Sequence, residues 1–326
     1  MLCFDLLIAQ WNLKYFTFYI AIENIKKLRE HIRSNWGILK DNKEIEIMRK
    51  QTNVGRISTL LIAVTVSSGI IILILIDYIK NSFFIITPLK ESRRRLILNI
   101  TEYVDQRKYF YISTVQLSIG CLTATFAGIA TETFSLSSAL HAFAMFKIAS
   151  YRMGCILNEN DLQISDTKKY VLYRDRIAAA VDIHNRAIEF SSLLVTTLGK
   201  PYLFLFIISE CSASIFLFLL LFMKQGLLEG IASVICTLFH FLFLTIGNFV
   251  GQEFIDCDRH IYEVLCNLRW YNTPLKTQKL IRFMMEKATR GYKVDAGGLF
   301  NPSLKGLTTT ISIMYTFIMM LSYTQR

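Results

Sequence analysis

Cys257, His260 and Cys266 carry side chains that bind transition metals, and they fall close together in the chain. A closed structural zinc site needs four near ligands, and this stretch offers three. The same residues fit a solvated helix with Glu253, Asp256, His260 and Glu263 on one face, so no metal is assigned. The chain carries no glycine-rich phosphate loop, no G-x-S-x-G elbow, no H-E-x-x-H and no paired C-x-x-C. No enzyme chemistry or cofactor is indicated. Two ionisable residues, Glu210 and His240, lie inside apolar runs, where such groups mark function by default. A wetted carboxylate near a helix end, or a neutral imidazole with one hydrogen bond, would also explain them. A third pattern closes the chain. Thr308, Ser312, Tyr315, Met319, Ser322 and Arg326 are spaced 4, 3, 4, 3, 4, which is one stripe of a helix. Ile311, Ile313, Phe317, Ile318, Met320 and Leu321 occupy the opposite flank. Such a stripe either lines water, with Met319 as an apolar ring that gates by dewetting, or mates with another helix through small polar side chains.

The elements that hold these residues are set by composition. Of 326 residues, 53% are hydrophobic and 19% charged, and the mean hydropathy is +0.39. A soluble domain has about 25% charged residues. Charge-free runs cover 57–76, 109–131, 230–252 and 306–325, and a fifth, 201–223, is broken only by Glu210. A bilayer core of about 30 Å takes about 20 helical residues. The expected spans are therefore 57–79, 109–131, 201–223, 230–252 and 303–325. The runs lack barrel alternation, so they should be helices. Residues 1–22 are apolar but carry Asp5 and Lys14 without a basic leader. They fit a partial span or an interfacial helix.

Basic residues orient the spans. Of the 36 Lys and Arg, 26 fall on alternate segments 23–56, 132–200 and 251–305, and 9 on the others. The positive-inside rule makes the first set cytosolic and the C-terminus extracellular. The net charge of +11 then needs no nucleic acid. The sequon Asn99-Ile-Thr101 falls on the side already assigned outside, which makes Asn99 a candidate glycosylation site.

Residues 132–200 and 253–300 have helical periodicity. Leu136, Leu140, Phe143, Phe146 and Met153 mark one stripe; Leu275, Leu280, Ile281, Met284, Met285 and Ala288 mark another, after a Pro274 suited to a helix start. Membrane helices are expected to continue into the cytosol and form a bundle there. The seven cysteines, Cys3, Cys121, Cys155, Cys211, Cys236, Cys257 and Cys266, are expected as buried reduced thiols.

Several motifs have a common likeness. Ile32-x3-Trp36 is followed by Glu44-x3-Met48 and Gly55-Arg56; His184 precedes Phe190; Trp270-Tyr271-x-x-Pro274 precedes Ala296-Gly297-Gly298-Leu299-Phe300 and Leu304; Tyr315-Thr316-Phe317 runs to Leu321. In order and spacing over 23–326 the chain resembles the insect odorant receptor family. It departs from that family at Asn35, where an acidic residue is usual. Aligned from the C-terminus, residues 1–22 fall on the family's second span, which leaves the first of seven without a counterpart. A truncated paralogue and an incomplete sequence both fit.

The resemblance implies an all-α bundle with inverted topology and a cytosolic anchor domain. It implies a subunit of an odorant-gated, non-selective cation channel in the plasma membrane of olfactory neurons. The subunit would form a tetramer with the family coreceptor. By alignment Met319 falls at the gate, Ser322 just outside it and Tyr315 one turn inward. The resemblance places the odorant among external halves of spans, here at Ile71, Leu75, Tyr78, Tyr109, Tyr111, Gln116, Cys236 and Phe239. A gustatory-type receptor shares this architecture but ends in a different motif. A G-protein-coupled receptor would end inside and carry late proline kinks, which the last two spans lack.

Overall fold

The computed structural model describes residues 2–39, 41–86, 106–157, 166–223, 226–289 and 302–324. Among these the chain is helical with no strand: α1 (Leu2–Ile20), α2 (Ile22–Ile38), α3 (Asn42–Ile86), α4 (Gln106–Gly154), α5 (Asp166–Phe222), α6 (Leu227–Asn267), a 3-10 turn at Trp270–Asn272, α7 (Leu275–Thr289) and α8 (Leu304–Thr324). Asn99, the Ala296–Phe300 motif and Arg326 lie outside the described residues.

Five helices, α3, α4, α5, α6 and α8, are long and apolar enough to cross a membrane. A backbone in hydrocarbon must satisfy its own polar groups, and a helix does so within one segment. Four of the five do not stop where charge begins. At 45, 49, 57 and 41 residues, α3 to α6 run unbroken from apolar into polar sequence. Pro201 sits within α5, where its missing N–H leaves the Thr197 carbonyl without its helical partner.

The larger core lies in the polar half. Phe143, Phe146, Phe190, Phe254, Ile261, Leu265 and Ile281 are buried together there, with the Phe143 and Phe254 rings edge to face at 4.7 Å. Residues 141–146 of α4 are buried all round, with His141, Phe143, Met145 and Phe146 as the bulky members. Ser138, Ala139, Ala142 and Ala144 are buried between them and let neighbouring helices approach closely. Arg152 grips Glu44 with two bonds, 2.6 and 2.9 Å, tying α4 to α3; Lys147 joins α4 to Glu253 of α6 at 2.8 Å. In α7 the buried face is Thr277, Ile281 and Met284, and Leu275 stands exposed.

The apolar half is inverted. Ile57, Leu60, Leu61, Val64, Ile71, Ile72 and Leu75 of α3 are exposed, whereas Gln10 and Lys14 of α1 are buried. The exposed face of α1 is Tyr15, Phe16, Tyr19 and Ile20. An interfacial helix would turn its lysine to water; α1 turns it into the bundle, against α4 and α5.

The cysteine expectation needs correcting. Cys121, Cys236 and Cys257 are buried and outside any disulfide, but Cys155, Cys211 and Cys266 are exposed. Cys155 and Cys266 sit at or beside the ends of α4 and α6, where the helices leave the core.

Candidate functional site

A cavity of about 250 Å³ lies between α1, α3, α4, α5 and α6. Its walls are mostly apolar, with Trp11, Leu194, Leu198, Phe239 and Phe243 among them. It is smaller than the 300–1,000 Å³ typical of drug-sized ligands, so it suits a small molecule. Helical spacing builds one wall: Phe239, Phe243, Ile246, Val250 and Phe254 follow at 4, 3, 4, 4 along α6. Gly69 makes room for Phe239, since a Cβ there would lie 2.2 Å from the ring tip.

Polar groups punctuate this wall. Lys14 forms an ion pair with Glu132. Its ammonium also lies 4.7 Å from the Tyr202 ring centre and 5.1 Å from that of Phe243, an arrangement that favours a desolvated cation. The Tyr202 hydroxyl donates to Glu132 at 3.2 Å, and the Gln10 amide donates to the Leu205 carbonyl at 3.4 Å. His240 is 2% exposed. Its Nδ1 lies 2.8 Å from the Cys236 carbonyl, and the Phe216 ring is tilted against it at 5.8 Å. His240 Nε2 and Ser209 Oγ have no hydrogen-bond partner among the described residues. Glu210 is half-buried outside the cavity lining, with Oε1 also unpartnered.

One edge of the cavity reaches Gly251 and Pro302, at the start of α8. There α6 clasps α8. The Ser303 N–H donates to Asn248 Oδ1 at 3.2 Å and the Leu304 N–H to Gln252 Oε1 at 3.3 Å. Helix N-terminal N–H groups have no partner within the helix, so α6 caps α8 with side chains. The Ser303 hydroxyl accepts a further one, from the Gly306 N–H at 3.0 Å. Gly251 permits the contact: a Cβ there would lie 2.2 Å from the Pro302 carbonyl.

Beyond the clasp, α8 buries Thr310, Met314 and Ile318, with Met314 set among Phe206, Ala213 and Leu244. The stripe of Thr308, Ser312, Tyr315 and Met319 is exposed and Ser322 half-exposed, so the stripe faces away from the chain's own bundle. Of its flank, Ile318 faces inward, while Ile311, Ile313 and Met320 are exposed.

The residues expected to bind a ligand are dispersed. Phe239 lines the cavity. Cys236 is buried against Ile70, Leu73 and Phe216, one turn from His240. Ile71, Leu75, Tyr78 and Gln116 are exposed, and the side chains of Tyr109 and Tyr111, within α4, lie outside the described set. Cys257 and His260 do not converge: Cys257 is buried and His260 exposed. Gln10, Trp11, Lys14, Glu132, Tyr202 and Ser209 had no place in the sequence-based set. The signal for two of them was present, because opposite charges at membrane depth are candidates to pair.

In the polar half, burial sets the titration. It pulls the His141 imidazole down to about 4; the Asn35 amide lies 3.3 Å from its Nε2. It also lowers His184, against an opposing pull from Asp258, and pushes the Cys257 thiol up to about 12.

Comparison with known proteins bears on what this arrangement serves. The family model described as 7tm Odorant receptor matches residues 1–315. Odorant receptor 22c of Drosophila melanogaster is 22% identical over 228 residues, 68% of this chain and 56% of the relative. The chain thus spans little more than half the length of that curated relative. Among solved structures, the insect olfactory receptor OR5 from Machilis hrabei superposes with a TM-score of 0.76 in its complex with eugenol. At 10% identity the match covers 97% of this chain and 78% of that one. A second structure of the same receptor gives 0.70, 10% identity, 96% and 78%. At this identity the structural likeness is one of fold.

Proposed function

This chain belongs to the 7tm odorant receptor family, and on that premise we propose that it is a subunit of an odorant-gated, non-selective cation channel. A small volatile molecule binds in the cavity between α1, α3, α4, α5 and α6. The pore is lined by α8 from several subunits, with the family coreceptor as partner in a tetramer. Met319 forms the apolar constriction, Ser322 lies beyond it and Tyr315 one turn before it. The complex sits in the plasma membrane with the polar half in the cytosol, the C-terminus outside and α1 as a further span.

One observation carries this reading. The α8 stripe is turned away from the bundle, while the first residues of α8 are held by the α6 wall of the cavity. A ligand that binds better when that wall is shifted favours the matching position of α8; gating is then a population shift. The eugenol complex of the Machilis hrabei receptor supports a small organic ligand here too. The match to the odorant receptor model favours neither a gustatory nor a G-protein-coupled reading.

The test is whole-cell current from cells expressing this chain with the coreceptor, under a panel of volatiles. Ligand-evoked cation current above the coreceptor-alone background is the expected result. Met319→Ser should raise the current without ligand, because a polar ring stays wetted. Surface-stained cells that give no current to any volatile would refute the channel reading.

A further inference from the structure

We propose that ligands reach the cavity from the cytosolic leaflet of the membrane, through an opening between α3 and α6. The site then selects uncharged molecules that dissolve in hydrocarbon over those confined to water. This rests on the cavity being the ligand site and on the orientation proposed above.

The depth of the wall follows from the sequence. Ile62 and Val66 of α3 line the cavity six and ten residues beyond Arg56, the last charge before that span. At 1.5 Å per residue they lie about 9 and 15 Å into the apolar run. Leu242 and Ile246 of α6 also line it, eleven and seven residues before Glu253, or about 16 and 10 Å from that charge. A hydrocarbon core is about 30 Å thick, so this wall lies in the leaflet next to the polar half.

The external end is sealed. Ile70 and Leu73 of α3, Phe216 of α5 and Cys236 of α6 are buried together, and Trp11 and Phe239 of the cavity wall pack against them. Ile70, Leu73 and Cys236 are 2%, 1% and 1% exposed. The other end closes on the large core, to which the wall residues Leu194, Leu198 and Phe254 belong.

The flank between these two cores is open. Ile62, Val66, Gly69 and Leu73 follow at 4, 3, 4 along one face of α3, and Phe239, Leu242 and Ile246 at 3, 4 along α6. The two helices touch at Gly69 and Phe239. From there towards the polar half, burial gives way: Ile62, Val66 and Ile246 are half-buried and Leu242 is 39% exposed. An opening at that depth meets acyl chains, not water. Behind it the two opposite charges of the wall, Lys14 and Glu132, already engage each other. A charged ligand would cross hydrocarbon unpaired, at a cost that a neutral one escapes.

Trp11 lines the cavity and reads its occupancy directly, independent of gating and of the coreceptor. The full chain in phosphatidylcholine nanodiscs would be mixed in stopped flow with 4-bromotoluene, following heavy-atom quenching of tryptophan emission. Subtracting the trace of Trp11→Phe isolates the signal from the cavity. Val66→Phe and Ile246→Phe narrow the opening. Each should slow both entry and washout about tenfold while the affinity moves less than about threefold, which is the signature of a passage and not of a lost contact. Leu73→Ala, which loosens the seal, and Leu75→Phe, on the exposed side of α3, should leave both rates within about twofold. The anion 4-bromobenzenesulfonate, offered to both faces of the disc, should give no saturable quenching.

The inference is overturned if neither phenylalanine variant slows the neutral probe, if Leu73→Ala speeds its entry, or if the sulfonate quenches Trp11 saturably. Each of these outcomes leaves the cavity as the ligand site. If 4-bromotoluene gives no saturable, Trp11-dependent quenching, the cavity is not the ligand site and both proposals fall.

Discussion

Lys14 is 3% exposed, and its partner Glu132 is 28% exposed. This asymmetry decides what each substitution does. Glu132→Gln strands a buried ammonium among aromatic rings and should destabilise the fold by about 3 kcal/mol. Lys14→Met leaves a carboxylate that keeps solvent and the Tyr202 hydroxyl, and should cost about half as much. The double variant should recover part of the loss, measurable as a double-mutant cycle of unfolding in micelles. His141 gives a prediction in pH. Its imidazole is held near 4 in the fold against about 6.5 in an unfolded chain. Below pH 6.5 the unfolded state therefore binds more protons. Stability should be complete above pH 6.5 and fall as pH drops towards 4, by about 3 kcal/mol in total. Thermal unfolding of the wild type and of His141→Phe across that range checks it: the variant should lose this component of the slope.

At the scale of elements, the contact between α6 and α8 is the narrowest link between cavity and stripe. Gly251→Ala puts a methyl group where the Pro302 backbone lies and should lift the start of α8 from its seat. The expected outcome is normal surface staining with evoked current reduced about tenfold or more, read as current per stained channel. Gly69→Ala would instead press on the Phe239 ring and shrink the cavity. It should spare the smallest ligands and weaken the bulkiest, as read from concentration–response curves. The helices themselves were legible in the sequence, because lack of charge over about 20 residues has one physical meaning in a bilayer. The polar-half helices were legible through their apolar period. The cavity was not. Lys14 looked like a flaw in an apolar run, and Glu132 like the marker where another run ends; their pairing joins positions 118 residues apart in sequence. No local period encodes such a contact. The free Nε2 of His240 was equally hidden, since the residue type says nothing of which nitrogen is engaged.

At the scale of the whole molecule, two surfaces coexist. The polar half carries its charges outward over one large core, and the apolar half shows isoleucines, leucines and aromatics outward over small ones. Water around the second surface would be unfavourable by about 25 cal/mol for each Å² of apolar area, so the chain belongs in lipid. The distribution of lysine and arginine then predicts the orientation. An epitope after Arg326 should stain in intact cells, and one in the segment 23–56 only after permeabilisation; the reverse pattern would turn the receptor over.

The unbroken length of α5 has a further consequence. Ile183, Ala187, Phe190, Leu194, Leu198, Leu205, Ser209, Ser212 and Phe216 are all buried and form one continuous line along it. At 1.5 Å per residue its 57 residues extend about 86 Å, and Pro201 removes one hydrogen bond without ending the helix. Inserting or deleting a single residue near Pro201 would turn everything beyond it by about 100°. The anchor core and the cavity wall would then face different ways, however innocuous the residue added. Such a helix tolerates exchange of side chains far better than any change in count. Divergence within this architecture should therefore accumulate as substitutions along the long helices, with length variation confined to the connections between them.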